Sequence, residues 1–375
     1  MNLELTDEQV ALRGTVRRFL AEKASIPGHV RPLLDDPTGT TDAVWRGLAG
    51  LGTTGLLVPQ EYDGAGMTMV EAGIVAQELG AALHPGPWIS TAVVAPRALA
   101  RLGVDGTAAT LWAGIADGST IATVGPLSGG WPTAAERGDG TVLSGEIRSV
   151  PDAAAAHVML ALARDSVGAA LVGVDMSAPG IVVAPEAGVD GTRKEFRVTF
   201  EGAPARRLAT PSPDAVAALI DDVLVARAAD ALGAATAVLG LVIEYAKVRR
   251  QFGQPIGSFQ AVQHLCVDMY ETVELARGGV LHALWAADRG DAYERHLAAV
   301  RAKAYAGRLA TVGDTAIQVL GGIGYTWEHD AHLYLKRLLS WNAFLGGPDR
   351  YLREVGASLS RSGFHQELKG GCGRR

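Results

Sequence analysis

The segment Arg249–Gln260 of this chain reads RRQFGQPIGSFQ and joins two long helical patterns. Ser258 is suited to cap the second helix. A guanidinium presents several N–H donors to a phosphate oxygen, and glycines let backbone N–H groups approach such an anion closely. The segment therefore predicts a helix junction that binds a phosphate-bearing ligand.

A second glycine-rich segment, Gln318–Tyr325, reads QVLGGIGY and also ends a helical pattern. Glycines at this place are typical of an ordinary helix stop. Because no strand pattern precedes them, they do not form the dinucleotide fingerprint of a doubly wound fold. This turn indicates a binding site only in combination with the Arg249–Gln260 segment.

The patterns on either side of these segments predict an α+β fold. Apolar residues recur at helical spacing in the N-terminal part, whereas residues 118–207 consist of short strand-like runs separated by Gly, Pro or Asp. Helical patterns then return over 214–251, 259–289, 293–320 and a final pair after 328, which favours a four-helix bundle. We predict an N-terminal helical domain (1–116), a central β-barrel or sandwich (117–208), a C-terminal bundle (209–368) and a disordered tail (369–375).

Composition and charge exclude several classes of function. The chain has 375 residues, 48% of them hydrophobic, and a net charge of −6, which gives no general attraction to nucleic acid. Its two cysteines have no metal-ligand or disulfide spacing, and its acidic start is unlike a secretory signal, so we expect a cytoplasmic protein. The apolar run at 231–243 is bracketed by acids and too short to span a bilayer, so no membrane span is expected.

The two glycine-containing segments together resemble the acyl-CoA dehydrogenase family, the flavoenzymes that desaturate acyl-CoA thioesters between Cα and Cβ. The resemblance extends over nearly the whole chain. It implies FAD as the cofactor, whose adenine and pyrophosphate half would contact Arg249, Gln251, Phe252, Gln260, Gln318, Gly321 and Gly322. It also implies an acyl-CoA substrate, a homo- or heterotetramer, and electron-transfer flavoprotein or another electron acceptor.

The family's catalytic base is missing from this sequence. Where most members have a glutamate after the Gly-Gly turn, this chain has Leu345, which cannot accept a proton. Other members carry the glutamate on the first bundle helix, where ungapped alignment places Val223 and Leu224. Asp222 is one residue away and is kept as a substitute base, although Asp221 and Asp222 are also typical of a solvated first helical turn.

Segments that hold the flavin ring in the family are changed as well. A Thr-Glu-Pro stretch is replaced by Val124-Gly125-Pro126, and an aromatic–aliphatic–Thr segment by Ser149-Val150-Pro151-Asp152. We therefore predict no catalytic residue in this chain, which would be the FAD-completing subunit of a heterotetramer with a catalytic relative. Two alternatives stay open: a self-sufficient homotetrameric dehydrogenase or oxidase with a displaced base, and a non-redox CoA-ester binding or scaffold protein.

Other reactive side chains are interpreted as structural. Cys266 falls in an apolar helical pattern and is expected to be a core thiol. The cluster Glu328, His329, Asp330 and His332 resembles a metal site, but acids at a helix start are common, and no metal is predicted.

Overall fold

The N-terminal part of the protein is helical, as predicted. The structure is a computed structural model that describes residues 4–104, 106–138 and 140–361, so the predicted disordered tail at 369–375 lies outside the described residues. Thr6 and Thr68 form capping boxes, which fix where the first and third helices begin. The helices are α1 (Asp7–Lys23), α2 (Asp42–Gly50), α3 (Met69–Ala81), α4 (Ala95–Arg101) and α5 (Ala109–Ala116).

The central part is a β-barrel. Its strands are β1 (Ala122–Gly125), β2 (Thr133–Arg137), β3 (Gly140–Pro151), β4 (Val158–Arg164), β5 (Ala169–Asp175), β6 (Ile181–Pro185) and β7 (Glu195–Ala209). Pairing runs β4–β2–β3–β7–β5 and returns from β5 to β4, so these strands close into a ring. Of the two forms predicted for the central domain, barrel and sandwich, the structure shows the barrel.

Sequence patterns missed part of this barrel. The strand-like runs predicted within 118–207 include none at β2, which reads TAAER and has one buried side chain. The last of these runs covers 196–200, whereas β7 continues to Ala209. Small and charged residues in both places, and a Pro in β7, replace the β-branched and aromatic residues that mark strands. Backbone pairing with β3 and β5, rather than intrinsic preference, holds these residues in the sheet.

The C-terminal part is a helical bundle formed by α6 (Pro213–Val248), α7 (Gln260–Arg289), α8 (Ala292–Ala306), α9 (Leu309–Leu320), α10 (Ala331–Ala343) and α11 (Pro348–Arg361). The helix predicted over 293–320 was wrong as a single element, because it breaks between α8 and α9 at Gly307. A Cβ at Gly307 would lie 2.8 Å from the Pro348 side chain, so the break is where α11 packs closely. The first bundle helix ends at Val248, and residues 250–255 form a hairpin.

The N-terminal helices and the C-terminal bundle share one hydrophobic core, and the barrel has a second core of its own. Helices α3 and α6 meet backbone to backbone: a Cβ at Gly80 would lie 1.9 Å from the Asp230 carbonyl oxygen, and one at Gly233 1.9 Å from that of Gln77. By length and composition α6 could span a membrane, but most of its apolar stretch is buried in the protein, as expected of a core helix. The predicted domain boundaries stay predictions.

Candidate functional site

The predicted phosphate-binding junction is an exposed hairpin. Strands β8 (Arg250–Gln251) and β9 (Gln254–Pro255) flank a turn in which Phe252 and Gly253 have φ of 50° and 82°. The turn presents the Phe252 ring to solvent, 91% exposed. Arg249, the C-cap of α6, is also exposed, and among the described residues its guanidinium has no hydrogen-bond partner. Free donors at this position suit a phosphate group.

The second predicted segment lies at the same end of the bundle. Short connections reverse the chain after α6 and after α7, and α9 packs against α7. The C-terminal ends of α6 and α9 therefore lie beside the start of α7. Gln260 is the first residue of α7, Gln318 lies in the last turn of α9, and both are exposed.

The Gly-Gly turn forms an open surface. Gly321 has a φ of 65°, and a Cβ at Gly321 or Gly322 would meet nothing within 4 Å. Backbone N–H groups at such a turn are accessible to a ligand phosphate. The predicted FAD contacts thus share one exposed end of the bundle and fit the adenine and pyrophosphate half of FAD, although contact with FAD itself stays a prediction.

An arginine of α6 meets the aromatic ring of the residue that precedes Leu345. Leu345 follows α10 with a φ of 53° and packs against the core, next to Phe344. Arg227 lies one helical turn beyond Val223 on α6, and its guanidinium carbon is 5.0 Å from the centroid of the Phe344 ring. We call the space around this contact the chamber.

The chamber leaves a cavity of about 10 Å³. That is roughly the room one water molecule requires. A thioester acyl group needs far more. Its lining residues are Arg193, Arg227, Asp230, Arg337, Ser340, Trp341 and Phe344.

A buried ion-pair network forms part of the chamber lining. Asp230 Oδ1 accepts a hydrogen bond from Arg337 at 2.9 Å and forms an ion pair with Arg193 at 2.5 Å. Burial by itself would raise the pKa of Asp230, but the charges of Arg193 and Arg337 outweigh it and hold this pKa below its ordinary value. Asp230 therefore acts as a structural counter-ion.

The segments expected to face a flavin ring are largely covered by the chain itself. Residues 124–126 and 150–152 are buried, whereas Ser149 is exposed and donates to Glu186. The Thr123 hydroxyl donates to the Pro151 carbonyl at 2.5 Å, and Ser90 donates to the Asp152 carboxylate. Burial raises the pKa of Asp152.

The two acids of the first bundle helix are not a solvated first turn, so that expectation was wrong. Asp221 and Asp222 lie in the third turn of α6, 3% and 1% exposed. Asp222 accepts hydrogen bonds from Arg97 Nε at 2.7 Å and Arg101 Nε at 2.9 Å. Both oxygens of this buried carboxylate are bonded to guanidiniums, and the structure argues against Asp222 as the base.

The remaining reactive side chains have structural partners. Asp330 accepts two hydrogen bonds from Arg31, at 2.7 and 2.9 Å, which ties the start of α10 to the N-terminal helices. Cys266 is a free, partly buried thiol packed against the core, and burial raises its pKa. Among the described residues, no group of three or more His, Cys, Asp or Glu is arranged to hold a metal ion.

Sequence reasoning missed the arginines of the chamber. Arg227 is a single cation in the otherwise apolar run 223–229, and a charge at a core position was a signal that it faces an internal polar site. Arg193 lies in a loop and Arg337 in α10, far apart in sequence. The spacing of Arg193, Arg227 and Arg337 in the sequence gives no sign that they meet in the fold.

Comparison with known proteins matches both helical parts to one family. The model of the acyl-CoA dehydrogenase N-terminal domain matches residues 6–119, and that of the C-terminal domain matches residues 224–358. Acyl-CoA dehydrogenase IpdE2 of Mycobacterium tuberculosis is 33% identical over 95% of this chain and 98% of its own length. Acyl-CoA dehydrogenase FadE34 of the same organism is 37% identical over 97% of this chain, which spans 49% of FadE34.

Solved structures agree. The Tcur3481-Tcur3483 steroid acyl-CoA dehydrogenase variant has a TM-score of 0.85 at 30% identity, covering 95% of this chain and 98% of that one. The ChsE4-ChsE5 complex of Mycobacterium tuberculosis has a TM-score of 0.87 at 28% identity, covering 96% and 99%. The chain therefore belongs to the acyl-CoA dehydrogenase family, whose members are FAD-binding oxidoreductases that act on acyl-CoA.

Proposed function

We propose that this chain is the FAD-completing, non-catalytic subunit of a heterotetrameric acyl-CoA dehydrogenase. The observation that carries the proposal is the contact between Arg227 and Phe344, which occupies the chamber next to Leu345. At the exposed end of the bundle, by contrast, Arg249 and the Gly321–Gly322 turn remain open. The chain keeps the surface for a dinucleotide and lacks the space for the reaction.

Desaturation of an acyl-CoA thioester places three demands on a subunit. A carboxylate must remove the α-proton, hydrogen-bond donors must stabilise charge on the thioester oxygen, and an acceptor must take the hydride from Cβ. When bound, FAD supplies the hydride acceptor. Leu345 offers no proton acceptor, so the partner chain supplies the base and the acyl pocket.

In this arrangement the chain binds and orients FAD and takes no part in the chemical steps. Arg249 would pair with the pyrophosphate of FAD, and Gln260 and Gln318 would donate to the same half of the cofactor. The flavin ring of that cofactor would be held by the neighbouring subunit. We expect the complex to be cytoplasmic and to pass electrons to electron-transfer flavoprotein or another acceptor.

The relatives support a pairing of two related chains. The ChsE4-ChsE5 structure is a complex of two proteins, and the name of the Tcur3481-Tcur3483 structure also joins two proteins. FadE34 matches this chain over only 49% of its length, so a segment about as long as this chain remains in FadE34. Both relationships agree with a chain that works together with a second, related chain.

Exposed apolar side chains support association at the same end. Val248 and Phe252 are 73% and 91% exposed on either side of Arg249, and Tyr325 after the Gly-Gly turn is 78% exposed. Val267 and Leu275, both 59% exposed, continue this apolar surface along α7. Clustered exposed apolar residues mark interaction surfaces, and here they surround the predicted FAD contacts.

The test is the flavin content of the complex formed on co-expression with a related dehydrogenase that has the base. Arg249→Ala in this chain should lower FAD affinity by about tenfold or more, since it removes a charge-assisted hydrogen bond of about 1.5–3 kcal/mol. Arg46→Ala, on exposed α2 and paired only with Asp42, is the control and should leave it unchanged. Unaltered flavin affinity in Arg249→Ala would refute the proposal.

A further inference from the structure

Two buried histidine rings stack on each other in the N-terminal part of the chain. His29 is 5% exposed and His84 is 1% exposed, and their rings are parallel within 3° with centroids 5.6 Å apart. Among the described residues, His29 Nε2 and both ring nitrogens of His84 have no hydrogen-bond partner. Since buried polar atoms almost always have partners, this pair of rings requires an explanation.

His29 lies in a segment that connects α1 to α2 and is tied to the barrel. The segment consists of a π-helical turn (Ile26–Val30) and a 3-10 turn (Arg31–Leu33), and we call it the strap. Lys194, next to β7, donates from Nζ to the Leu34 carbonyl oxygen at 2.6 Å, immediately after the strap. The His29 ring thus belongs to a segment that is held at its far end by the barrel.

The strap also holds the segment between the Gly-Gly turn and α10. Arg31 donates to the Trp327 carbonyl oxygen at 2.5 Å and to Asp330 Oδ1 at 2.7 and 2.9 Å. Trp327 and Asp330 follow the Gly321–Gly322 turn closely in the chain. Release of the strap would therefore free a segment that adjoins the predicted FAD contacts.

The surroundings of the pair disfavour a charge on either ring. On the side of His84, Arg337 donates to the His84 carbonyl oxygen at 3.0 Å, and Asp230 is already paired with both Arg337 and Arg193. Burial lowers the pKa of both rings, and the charges of His29 and Arg337 lower that of His84 further.

The other charged or titratable groups around the pair supply no counter-ion. Among the residues that the structure describes, none of them bonds to either ring: Arg17 of α1, Glu78 of α3, Arg31, Asp35 and Asp36 in or after the strap, Lys194, and Asp330 and His332 at the start of α10. Arg17 and Glu78 pair with each other, as do Arg31 and Asp330. A proton taken up by the rings would therefore add an unpaired buried charge.

We propose that His29 and His84 form an acid-sensitive latch, in which the uncharged stacked rings keep the strap closed and proton uptake by the rings releases it. Two imidazolium rings with centroids 5.6 Å apart would repel each other without water or a counter-ion between them. Only the consequence for FAD rests on the proposed function, because release of the strap is a property of this chain.

The direction of the pH dependence follows from linkage. In the closed strap both rings have a pKa below the ordinary value, whereas in an opened strap they reach water and have a pKa near 6.5. The opened strap therefore binds more protons below pH 6.5. Opening should become more frequent as pH falls below 6.5, by up to about tenfold per pH unit for each ring, and should not depend on pH above about 7.5.

Hydrogen exchange of the full chain, without FAD or partner, tests this proposal. The reporters are the amides of Val30 and Arg31, which bond to the carbonyls of Ser25 and Ile26. After correction for intrinsic exchange rates, their protection should fall about tenfold or more between pH 6.5 and 5.0. The amides of β4, paired with β5 in the barrel, should not change. Constant protection of the strap, or an equal fall in β4, would overturn the proposal in the wild-type chain alone.

Variants separate the latch from other titrating groups. The double variant His29→Phe/His84→Phe keeps two stacked aromatic rings that cannot take up a proton, so strap protection should be the same at pH 6.5 and 5.0. His264→Phe, at an exposed histidine of α7, is the control and should show the wild-type fall. A fall of wild-type size in the double variant would contradict the assignment. Because no flavin is present, this result does not depend on whether the chain completes an FAD site.

Discussion

The guanidinium carbon of Arg227 lies 5.0 Å from the centroid of the Phe344 ring, and each of the two residues is close in sequence to a position from which relatives supply a catalytic glutamate. One of those positions, Leu345, is the next residue along the chain, and the other, Val223, is one turn away on α6. A cation and an aromatic ring in contact occupy the space next to Leu345.

Restoring a carboxylate should not restore the reaction. Leu345→Glu supplies a proton acceptor at the family position, but the cavity of about 10 Å³ still excludes a thioester. We expect the purified variant to show no acceptor-linked desaturation of acyl-CoA thioesters. Turnover appearing in this variant alone would mean that the chamber admits substrate.

Asp222 should matter for stability and not for catalysis. Asp222→Asn leaves Arg101 without its counter-charge and Arg97 with Asp288 alone, and should cost about 3 kcal/mol of unfolding free energy. Activity per bound flavin in the complex should be unchanged. Asp214→Asn, in the exposed first turn of the same helix, is the control and should cost less than about 1 kcal/mol. Lost turnover with unaltered stability in Asp222→Asn would instead identify a base.

The contact between α3 and α6 should tolerate no side chain. Gly233→Ala places a Cβ 1.9 Å from the Gln77 carbonyl oxygen, so we expect a loss of about 3 kcal/mol or more in chemical denaturation. Gly240→Ala, two turns further along α6, meets nothing within 4 Å and should stabilise the protein by about 0.5–1 kcal/mol. Equal effects of the two substitutions would show that the helices do not meet as described.

The attachment of α11 should depend on pH through His296. Its hydrogen bond to Asp221, opposed by partial burial and aided by a second bond to Glu354, raises the pKa of His296 to about 9. Because the folded pKa lies above the unfolded value of about 6.5, the stabilisation is complete below pH 6.5 and is lost as pH rises through 9. The melting temperature of His296→Gln should fall below that of the wild type at pH 6 and approach it near pH 10, whereas the exposed His264→Gln should match the wild type throughout. A difference that does not change with pH would exclude a charged His296.

Sequence patterns predicted the fold class and the exposed end of the bundle because both depend on local signals. Helical periodicity, caps and the turn around Phe252 and Gly253 act within a few residues. The break at Gly307 and strand β2 depend on partners elsewhere in the chain, Pro348 and β3, and local patterns do not contain them.

The chamber was the least predictable part of the candidate site. Its missing base was visible in the sequence at Leu345, but the contact that fills it joins residues 227 and 344. The partners of Asp222 come from α4, over 100 residues earlier, as the bonds from Arg97 and Arg101 show. Periodicity assigned this acid to solvent because a helical pattern does not say which neighbour covers a given face.

The ratio of FAD to protein chain, from absorbance and native mass, tests the central claim most directly. Produced alone with excess FAD, this chain should carry almost no flavin, because the segments that would face the ring are buried apart from Ser149. Co-expressed with a catalytic relative, it should form a complex with about one FAD per pair of unlike chains. One FAD per chain in the protein produced alone would contradict the account, since the ring would then have a site in this subunit.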